Sequence, residues 1–196
     1  MKIAIMGTGN IGKTLVRELT KSGHEIKVAN SRGPETIDAE ILSSGARAAT
    51  AEDAVKDVDV IILSIPFQRL STVKPVLAGV PEDTVVIDTS NYYPARDGAI
   101  DAIEAGQVES LWVVEQLGRP IAKAWNAIGA RSFDVYGKAP GSPGRIAIPV
   151  AADRPVDREV TMRLVDETGF DPFDAGSIAE SWRQQPGSPV YCTDLT

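Results

Sequence analysis

A short apolar run that ends in a glycine-rich turn opens the sequence and constrains the fold more than any other feature. The run Ile3 to Met6 is β-prone, and Gly7, Gly9 and Gly12 follow it in the spacing Gly-x-Gly-x-x-Gly. The first glycine of this pattern permits a tight turn, the second lets the backbone approach a pyrophosphate, and the third lets a helix pack closely on the strand. Because the pattern here follows a predicted strand and opens a helix, we predict dinucleotide binding rather than a purely structural turn.

Apolar periodicity extends this unit into a larger sheet. Ile11, Leu15 and Leu19 recur every four residues, as on one face of a helix, and a β-prone run follows at residues 25–29. Further strands are predicted at residues 58–63, 84–87, 121–125 and 145–151, helices at 67–77, before Gly118 and after Val156, and a long loop at 133–144. The predicted fold is α/β. Residues 1–126 form a Rossmann-type, doubly wound, mostly parallel sheet, and residues 127–196 form a small C-terminal αβ extension packed on it, which supplies an acceptor site or a dimer contact.

Charge and composition exclude several classes of function. The net charge of -7 repels polyanions, so nucleic-acid binding is disfavoured and any phosphate contact must be local. The single cysteine, Cys192, excludes an internal disulfide and a multi-cysteine metal cage; we expect it to be inert, in a metal-free protein of the reducing cytoplasm. No apolar run is long enough to span a membrane. The single histidine, His24, lies between the first helix and the second strand, at the edge opposite the cofactor, where we expect a structural role.

The residues after the second strand indicate which dinucleotide binds. An NAD site usually has Asp or Glu here to hold the ribose hydroxyls, whereas an arginine accommodates the 2′-phosphate of NADP. This chain has Asn30, Ser31 and Arg32. Asn30 removes the carboxylate that would repel a phosphate, Ser31 offers a hydroxyl, and Arg32 offers several donors. We therefore predict NADP, with a solvated surface arginine as the alternative.

Three later strand ends are expected to line the same site. Ser64, Ile65 and Pro66 end one strand, Asn91 lies in the polar run after the next, and Asn126 follows the one after that. The carboxyl ends of parallel strands meet at the edge of the sheet where ligands bind. The alternative for Ser64 to Pro66 is an ordinary strand-to-helix turn. The alternative for the run with Asn91 is a set of polar residues that only form a turn, and the alternative for Asn126 is packing in the core.

The segment from Trp182 to Gly187 is unusual near a chain end because tryptophan and arginine are enriched at interfaces. It can serve as a lid or subunit contact, or it can simply pack against the sheet. The sequence leaves both alternatives open.

The glycine turn, Ser31 with Arg32, the Ser64 to Pro66 strand end and the short C-terminal part together resemble the F420-dependent NADP oxidoreductase family. Lys123 to Asn126 is similar to a lysine-alanine-aromatic-asparagine strand end of bacterial relatives. The resemblance implies a homodimer. It also assigns roles by similarity: phosphate contacts to Thr8, Asn10 and Ile11, the 2′-phosphate to Ser31 and Arg32, and the nicotinamide to Ile65 and Pro66.

These observations predict an NADP(H)-dependent oxidoreductase that transfers hydride between NADPH and a small-molecule acceptor, coenzyme F420 or a flavin, without a catalytic side chain. No tyrosine has a lysine four residues later, which excludes classical short-chain dehydrogenases. Too few residues follow Asn126 for the large helical domain of hydroxyacid and imine reductases. A ferric or free-flavin reductase and a non-catalytic NADP(H)-binding sensor are the alternatives.

Overall fold

The structure is a computed structural model that describes residues 1–196. Its strands are β1 (Lys2–Met6), β2 (Glu25–Ala29), β3 (Arg47–Ala48), β4 (Val60–Leu63), β5 (Val85–Asp88), β6 (Ala122–Lys123), β7 (Ala147–Ala152) and β8 (Asp171–Asp174). They form one sheet in the order β3-β2-β1-β4-β5-β6-β7-β8. The strands from β3 to β6 pair in parallel, β6 and β7 are antiparallel, and β7 and β8 are parallel. This is the predicted doubly wound α/β fold, and the strand order reverses between β1 and β4, where such sheets bind ligands.

Nine α-helices and three 3-10 helices connect the strands. The α-helices are α1 (Asn10–Lys21), α2 (Ala39–Leu42), α3 (Ala51–Ala54), α4 (Lys74–Leu77), α5 (Pro94–Asp97), α6 (Asp101–Glu104), α7 (Glu109–Leu117), α8 (Ala130–Val135) and α9 (Pro155–Glu167). The 3-10 helices are Pro34–Thr36, Phe67–Val73 and Ile178–Gln184. None of these helices has the length and apolar character needed to cross a membrane.

The side chains of the central strands are buried on both faces of the sheet. In β1, Ile3 and Ile5 pack with α1 on one face, whereas Ala4 and Met6 pack with the 3-10 helix that contains Phe67 on the other. This alternation follows from the two-residue period of a strand, and burial on both sides explains why these strands are continuous apolar runs.

Residues 127–196 extend the sheet by β7 and β8 and cover part of it with α9. The aromatic side chains of Phe133 and Phe170 lie in the same apolar cluster as Ile3 and Trp125. The C-terminal part therefore shares its core with the strands that carry the glycine turn.

The structure corrects several predicted boundaries. The strand predicted at 121–125 is reduced to β6, because Trp125 has a φ of 57° and left-handed backbone cannot continue a strand. The loop predicted at 133–144 begins inside α8, whose Phe133 is buried. Strand β8 was not predicted because it contains Pro172 and two aspartates, residue types that are rare in strands. An edge strand tolerates proline and charged residues, and β8 lies at the edge of the sheet.

Candidate functional site

A cavity of about 350 Å³ lies at the carboxyl ends of β1, β4 and β5. Its walls come from the glycine turn, the turns after β4 and β5, the segment after β6, and the C-terminal end of the chain. The lining residues are Gly9, Asn10, Ile11, Ser64, Ile65, Pro66, Thr89, Ser90, Asn91, Tyr93, Arg96, Trp125, Asn126, Ile128, Gly129, Ala130, Tyr191 and Cys192. Most residues predicted to line one site are therefore brought together here.

The three glycines of the turn have different surroundings. A Cβ on Gly7, whose φ is 111°, would lie 2.0 Å from the Ser64 carbonyl oxygen, and a Cβ on Gly12 would lie 2.1 Å from the Gly7 carbonyl oxygen. Both positions thus exclude a side chain because the backbone itself is in the way. A Cβ on Gly9 would have no atom within 4 Å. Gly9 consequently borders open space, as expected for the glycine that lets a ligand approach the backbone.

The N-terminus of α1 also faces this space with unpaired donors. The first helical hydrogen bond runs from the Lys13 amide to the Gly9 carbonyl, at 2.9 Å, and no side chain caps the helix. The amides of Asn10, Ile11 and Gly12 therefore have no acceptor within the helix. Free amides and the positive end of a 12-residue helix dipole suit a phosphate group, so these residues fit the pyrophosphate of a dinucleotide.

The turn after β2 lies beside the glycine turn, because the Gly7 amide donates to the Ala29 carbonyl at 2.8 Å. Asn30 shapes this turn: its Oδ1 accepts a hydrogen bond from the Arg32 amide at 2.8 Å, and its Nδ2 donates to Thr36 Oγ1 at 2.9 Å. The Arg32 side chain is exposed and makes no hydrogen bond or ion pair. Asn30, Ser31 and Arg32 do not line the 350 Å³ cavity, so the turn is available for a group that extends out of it.

Hydrogen-bonded amides from the turns after β5 and β6 form another part of the cavity wall. Asn126 Nδ2 donates to Asn91 Oδ1 at 3.0 Å, and Asn91 Nδ2 donates to the Asn126 carbonyl at 2.8 Å. Gln184 Nε2 donates to Asn126 Oδ1 at 2.9 Å. Asn91 and Asn126 thus fix each other's orientation, and Gln184 supports the pair from behind.

The segment from Trp182 to Gly187 packs in part against the sheet, which is one of the two alternatives for it, and its role as a lid or subunit contact stays a prediction. Gln184 is buried and packs against the amide wall, whereas the Trp182 side chain is 48% exposed, with the guanidinium of Arg183 4.9 Å from the centre of its ring. Neither Trp182 nor Arg183 lines the 350 Å³ cavity.

The sequence did not predict six residues of the cavity wall: Arg96, Ile128, Gly129, Ala130, Tyr191 and Cys192. The Tyr191 hydroxyl contacts the Tyr93 hydroxyl and accepts a hydrogen bond from Asn91 Nδ2 at 3.4 Å. The Arg96 guanidinium lies 4.9 Å from the centre of the Tyr93 ring and donates to the Asn91 carbonyl at 2.7 Å. Tyr93 belongs to the polar run after β5, which the sequence predicts to line the site. Tyr191 had no sequence signal.

The C-terminal end reaches the site through backbone contacts. The Cys192 amide donates to the Ala127 carbonyl at 2.7 Å, which places Tyr191 and Cys192 at the cavity. Burial raises the pKa of the Tyr191 phenol and of the Cys192 thiol, so both groups stay protonated at neutral pH.

A buried ion pair supports the floor of the site. Lys123 Nζ donates to Asp88 Oδ2 at 2.6 Å and to the Ser90 carbonyl at 2.5 Å, and both ionised side chains are fully buried. Lys123 therefore holds the turn after β5 rather than reaching into the cavity. Nearby, the buried Glu109 carboxylate accepts a hydrogen bond from the Tyr92 amide at 3.1 Å, and burial raises the pKa of Glu109.

His24 lies at the opposite edge of the sheet, as predicted. Its Nε2 is 2.7 Å from Glu167 Oε2, and its Nδ1 is 3.1 Å from the terminal amine of Met1. These contacts tie the start of β2 to α9 and the chain start, far from the cavity.

Comparison with known proteins supports the family resemblance predicted from the sequence of the N-terminal part. Residues 2–92, less than half of the chain, match the family described as NADP oxidoreductase coenzyme F420-dependent. A stretch of 134 residues, 65% of this chain, is 31% identical to the uncharacterized oxidoreductase YfjR of Bacillus subtilis and covers 46% of that protein. The chain spans less than half the length of the curated relatives it matches.

Solved structures extend the similarity to the whole fold. A hypothetical protein, SMa0349 of Sinorhizobium meliloti, aligns over 100% of this chain and 95% of its own, with a TM-score of 0.82 and 25% identity. A proposed F420-dependent NADP reductase of Arthrobacter sp. FB24 aligns over 93% of this chain and 90% of its own, with a TM-score of 0.69 and 20% identity. The resemblance to the F420-dependent NADP oxidoreductase family is thus confirmed over residues 2–92, and the fold is that of NAD(P)-dependent oxidoreductases.

Proposed function

We propose that the protein binds NADP(H) and transfers a hydride between its nicotinamide and a flat conjugated ring, either a deazaflavin such as coenzyme F420 or a flavin. The observation that carries this proposal is one cavity that joins the free amides at the start of α1 to a wall of paired amides and aromatic rings. The first part suits a dinucleotide phosphate, and the second suits a planar ring.

Different residues would hold each part of the cofactor. The amides of Asn10 and Ile11 would bind the pyrophosphate beside Gly9, and Ile65 and Pro66 would pack against the nicotinamide. Arg32, which has no partner of its own within the protein, would bind the 2′-phosphate. When bound, NADPH supplies the hydride; the chain contributes position and excludes water.

The side chains at the cavity argue against a strong general acid. The titratable side-chain acids there are the phenols of Tyr93 and Tyr191 and the thiol of Cys192, and burial raises the pKa of Tyr191 and Cys192, which makes both weaker acids than usual. Lys123 is occupied by Asp88 and Ser90, and His24 lies at the opposite edge. A conjugated ring accepts hydride at one atom and spreads the charge, so its protonation can follow from solvent.

Reduction of a small carbonyl is the second candidate function. The contact between the Tyr93 and Tyr191 hydroxyls favours it, because such a pair could deliver a proton to a carbonyl oxygen. If this candidate is right, the Tyr93→Phe and Tyr191→Phe variants should lose carbonyl reduction. If the acceptor is a conjugated ring, the same variants should continue to transfer hydride to it.

The cofactor is tested by titrating NADPH and NADH into the wild type and Arg32→Ala. We expect NADPH to bind the wild type more tightly, and Arg32→Ala to weaken NADPH binding by about 10- to 100-fold, because a hydrogen bond to a charged group contributes about 1.5–3 kcal/mol. NADH binding should not change. Arg163→Ala, an exposed position on α9, is the matched control. Equal affinity of the wild type for both cofactors would refute the NADP assignment.

The acceptor is tested by following NADPH oxidation with F420, FMN, a ferric complex and several small carbonyls. Turnover with a ring supports the proposal. Turnover with carbonyls alone, abolished by the tyrosine variants, supports the second candidate, and binding of NADPH without any turnover indicates a sensor.

A further inference from the structure

A second cavity, of about 510 Å³, lies on the other side of the C-terminal end of the chain. Residues of β7 and β8 form one side of it, and Val190, Asp194 and Leu195 form the other. Ile128 lines both cavities, while Tyr191 and Cys192 line only the first, so the C-terminal end separates the two. The volume falls in the range of about 300–1,000 Å³ that is typical of sites for small organic molecules.

The walls of this second cavity are mostly apolar. They include Ile146, Pro149, Phe173 and Val190, and the Phe173 side chain is 62% exposed. Such a surface favours an apolar molecule, because binding removes apolar area from water.

Two polar atoms of residues that line this cavity are buried hydrogen-bond acceptors without a donor: Gln184 Oε1 and Asp194 Oδ1. The orientation of the Gln184 amide is fixed, since its Nε2 donates to Asn126 Oδ1 at 2.9 Å and to the Lys123 carbonyl at 3.4 Å. The second oxygen of Asp194 accepts a hydrogen bond from Ser132 Oγ at 2.7 Å. A buried acceptor without a donor is unfavourable, so the half-buried Asp194 side chain would be stabilised if it turned its free oxygen towards a ligand that donates a hydrogen bond; the fixed Gln184 oxygen stays behind the wall.

The charges at this cavity favour a cation. Asp174 is paired with Arg158 at 3.3 Å, and Arg183 is paired with Glu180. Asp194 has no cationic partner. The carboxylate of Asp194 is therefore the unneutralised charge among the residues that line the cavity.

We propose that this cavity is a second binding site, for an apolar molecule that carries a protonated amine. The amine donates to the Asp194 carboxylate, and the apolar part packs against Ile146, Pro149 and Val190. This site is separate from the proposed hydride transfer, so the two proposals can fail independently.

The test is calorimetric titration with 2-naphthylmethylamine, and with 2-naphthalenesulfonate as the anion of similar shape. We expect the amine to bind saturably and at least about tenfold more tightly than the sulfonate. Asp194→Asn should weaken binding of the amine by about 10- to 100-fold, because it removes a charged hydrogen bond. Ala175→Trp should fill the cavity and abolish binding, whereas Ala102→Trp, at an exposed position of α6, should not.

Circular dichroism and mass in solution show whether each variant is folded. If Ala175→Trp does not fold, Asp194→Asn and the comparison of the two probes still decide the matter. Equal binding of both probes, or amine binding that survives Asp194→Asn unchanged, would overturn the proposal. The proposal would also be overturned if neither probe binds the wild type and Ala175→Trp changes the mass of the protein in solution. That result would identify the cavity as a contact between two copies of the chain.

Discussion

The two sides of the 350 Å³ cavity are built in different ways. On the proposed cofactor side, the glycine turn and the start of α1 are one continuous stretch, and the pairing of β1 with β2 together with the bond from the Gly7 amide to the Ala29 carbonyl holds the turn after β2 beside it. On the other side, Asn91 and Asn126 come from the turns after β5 and β6, and Gln184 and Tyr191 come from the last part of the chain, so three distant parts of the sequence meet. The first side depends on local backbone geometry, and the second depends on how the C-terminal part folds back over the sheet.

The largest effect is expected when the support of the second side is removed. Lys123→Met leaves the Asp88 carboxylate buried without a partner, and loss of one member of a buried ion pair costs about 3–5 kcal/mol. Denaturant unfolding should show this loss. Adding Asp88→Asn should restore part of it, because the uncompensated charge is then gone.

Lys21→Met is the matched control, because Lys21 is an exposed lysine paired with Glu18 on α1. Its effect should stay below about 1 kcal/mol. If Lys123→Met were equally mild, the ion pair would not support the turn after β5.

The next effect separates folding from binding within the first side. Gly12→Ala should destabilise the fold by about 1–3 kcal/mol, because its Cβ would lie 2.1 Å from the Gly7 carbonyl oxygen. Gly9→Ala should change the free energy of unfolding by less than about 0.5 kcal/mol, because its Cβ meets no atom. It should nevertheless weaken NADPH binding strongly. Normal NADPH affinity in Gly9→Ala would show that the pyrophosphate does not approach this position.

A smaller effect is expected at the second side from Tyr191→Phe. The variant loses the hydroxyl that contacts Asn91 and Tyr93, and one such hydrogen bond contributes about 0.5–1.5 kcal/mol. The KM for the acceptor should therefore rise by up to about tenfold, while NADPH affinity stays constant. Tyr136→Phe, an exposed tyrosine, is the control. A change in NADPH affinity with no change in the KM for the acceptor would contradict the division of the cavity into two sides.

The smallest effect concerns pH. Burial raises the pKa of Glu109 in the folded protein, so the folded state binds this proton more tightly than the unfolded state does. Its contribution to stability is present below the ordinary glutamate pKa of about 4.3 and is lost as the pH rises through the higher pKa of the folded state. Glu109→Gln has no proton to lose at this position. The free energy of unfolding of this variant should therefore fall less than that of the wild type as the pH rises from the ordinary glutamate pKa through the raised pKa of Glu109. Glu115→Gln, on the exposed face of α7, should follow the wild type.

The same contrast explains what the sequence could predict. The glycine turn, α1 and the parallel strands follow from local patterns, since spacing and apolar runs encode them directly. The end of the chain does not: Tyr191 reaches the cavity because the Cys192 amide binds the Ala127 carbonyl, and no residue pattern encodes a single backbone contact across that distance. Trp125 illustrates the same limit, because its positive φ ends β6 inside an apolar run that predicts a strand.

Single-turnover hydride transfer tests the central claim most directly. The protein is mixed with NADPH deuterated at C4 and one acceptor, which is F420, FMN or a small carbonyl in separate experiments. The wild type and the Tyr93→Phe/Tyr191→Phe double variant are compared. We predict that a ring acceptor oxidises the NADPH with a primary deuterium isotope effect, that the deuterium stays on the carbon of reduced F420 but exchanges with water from the ring nitrogen of reduced FMN, and that removing both hydroxyls slows this step by no more than about tenfold, the size of a hydrogen-bond effect on positioning. Transfer to carbonyls alone, lost in the double variant, or no transfer to any ring would contradict the account.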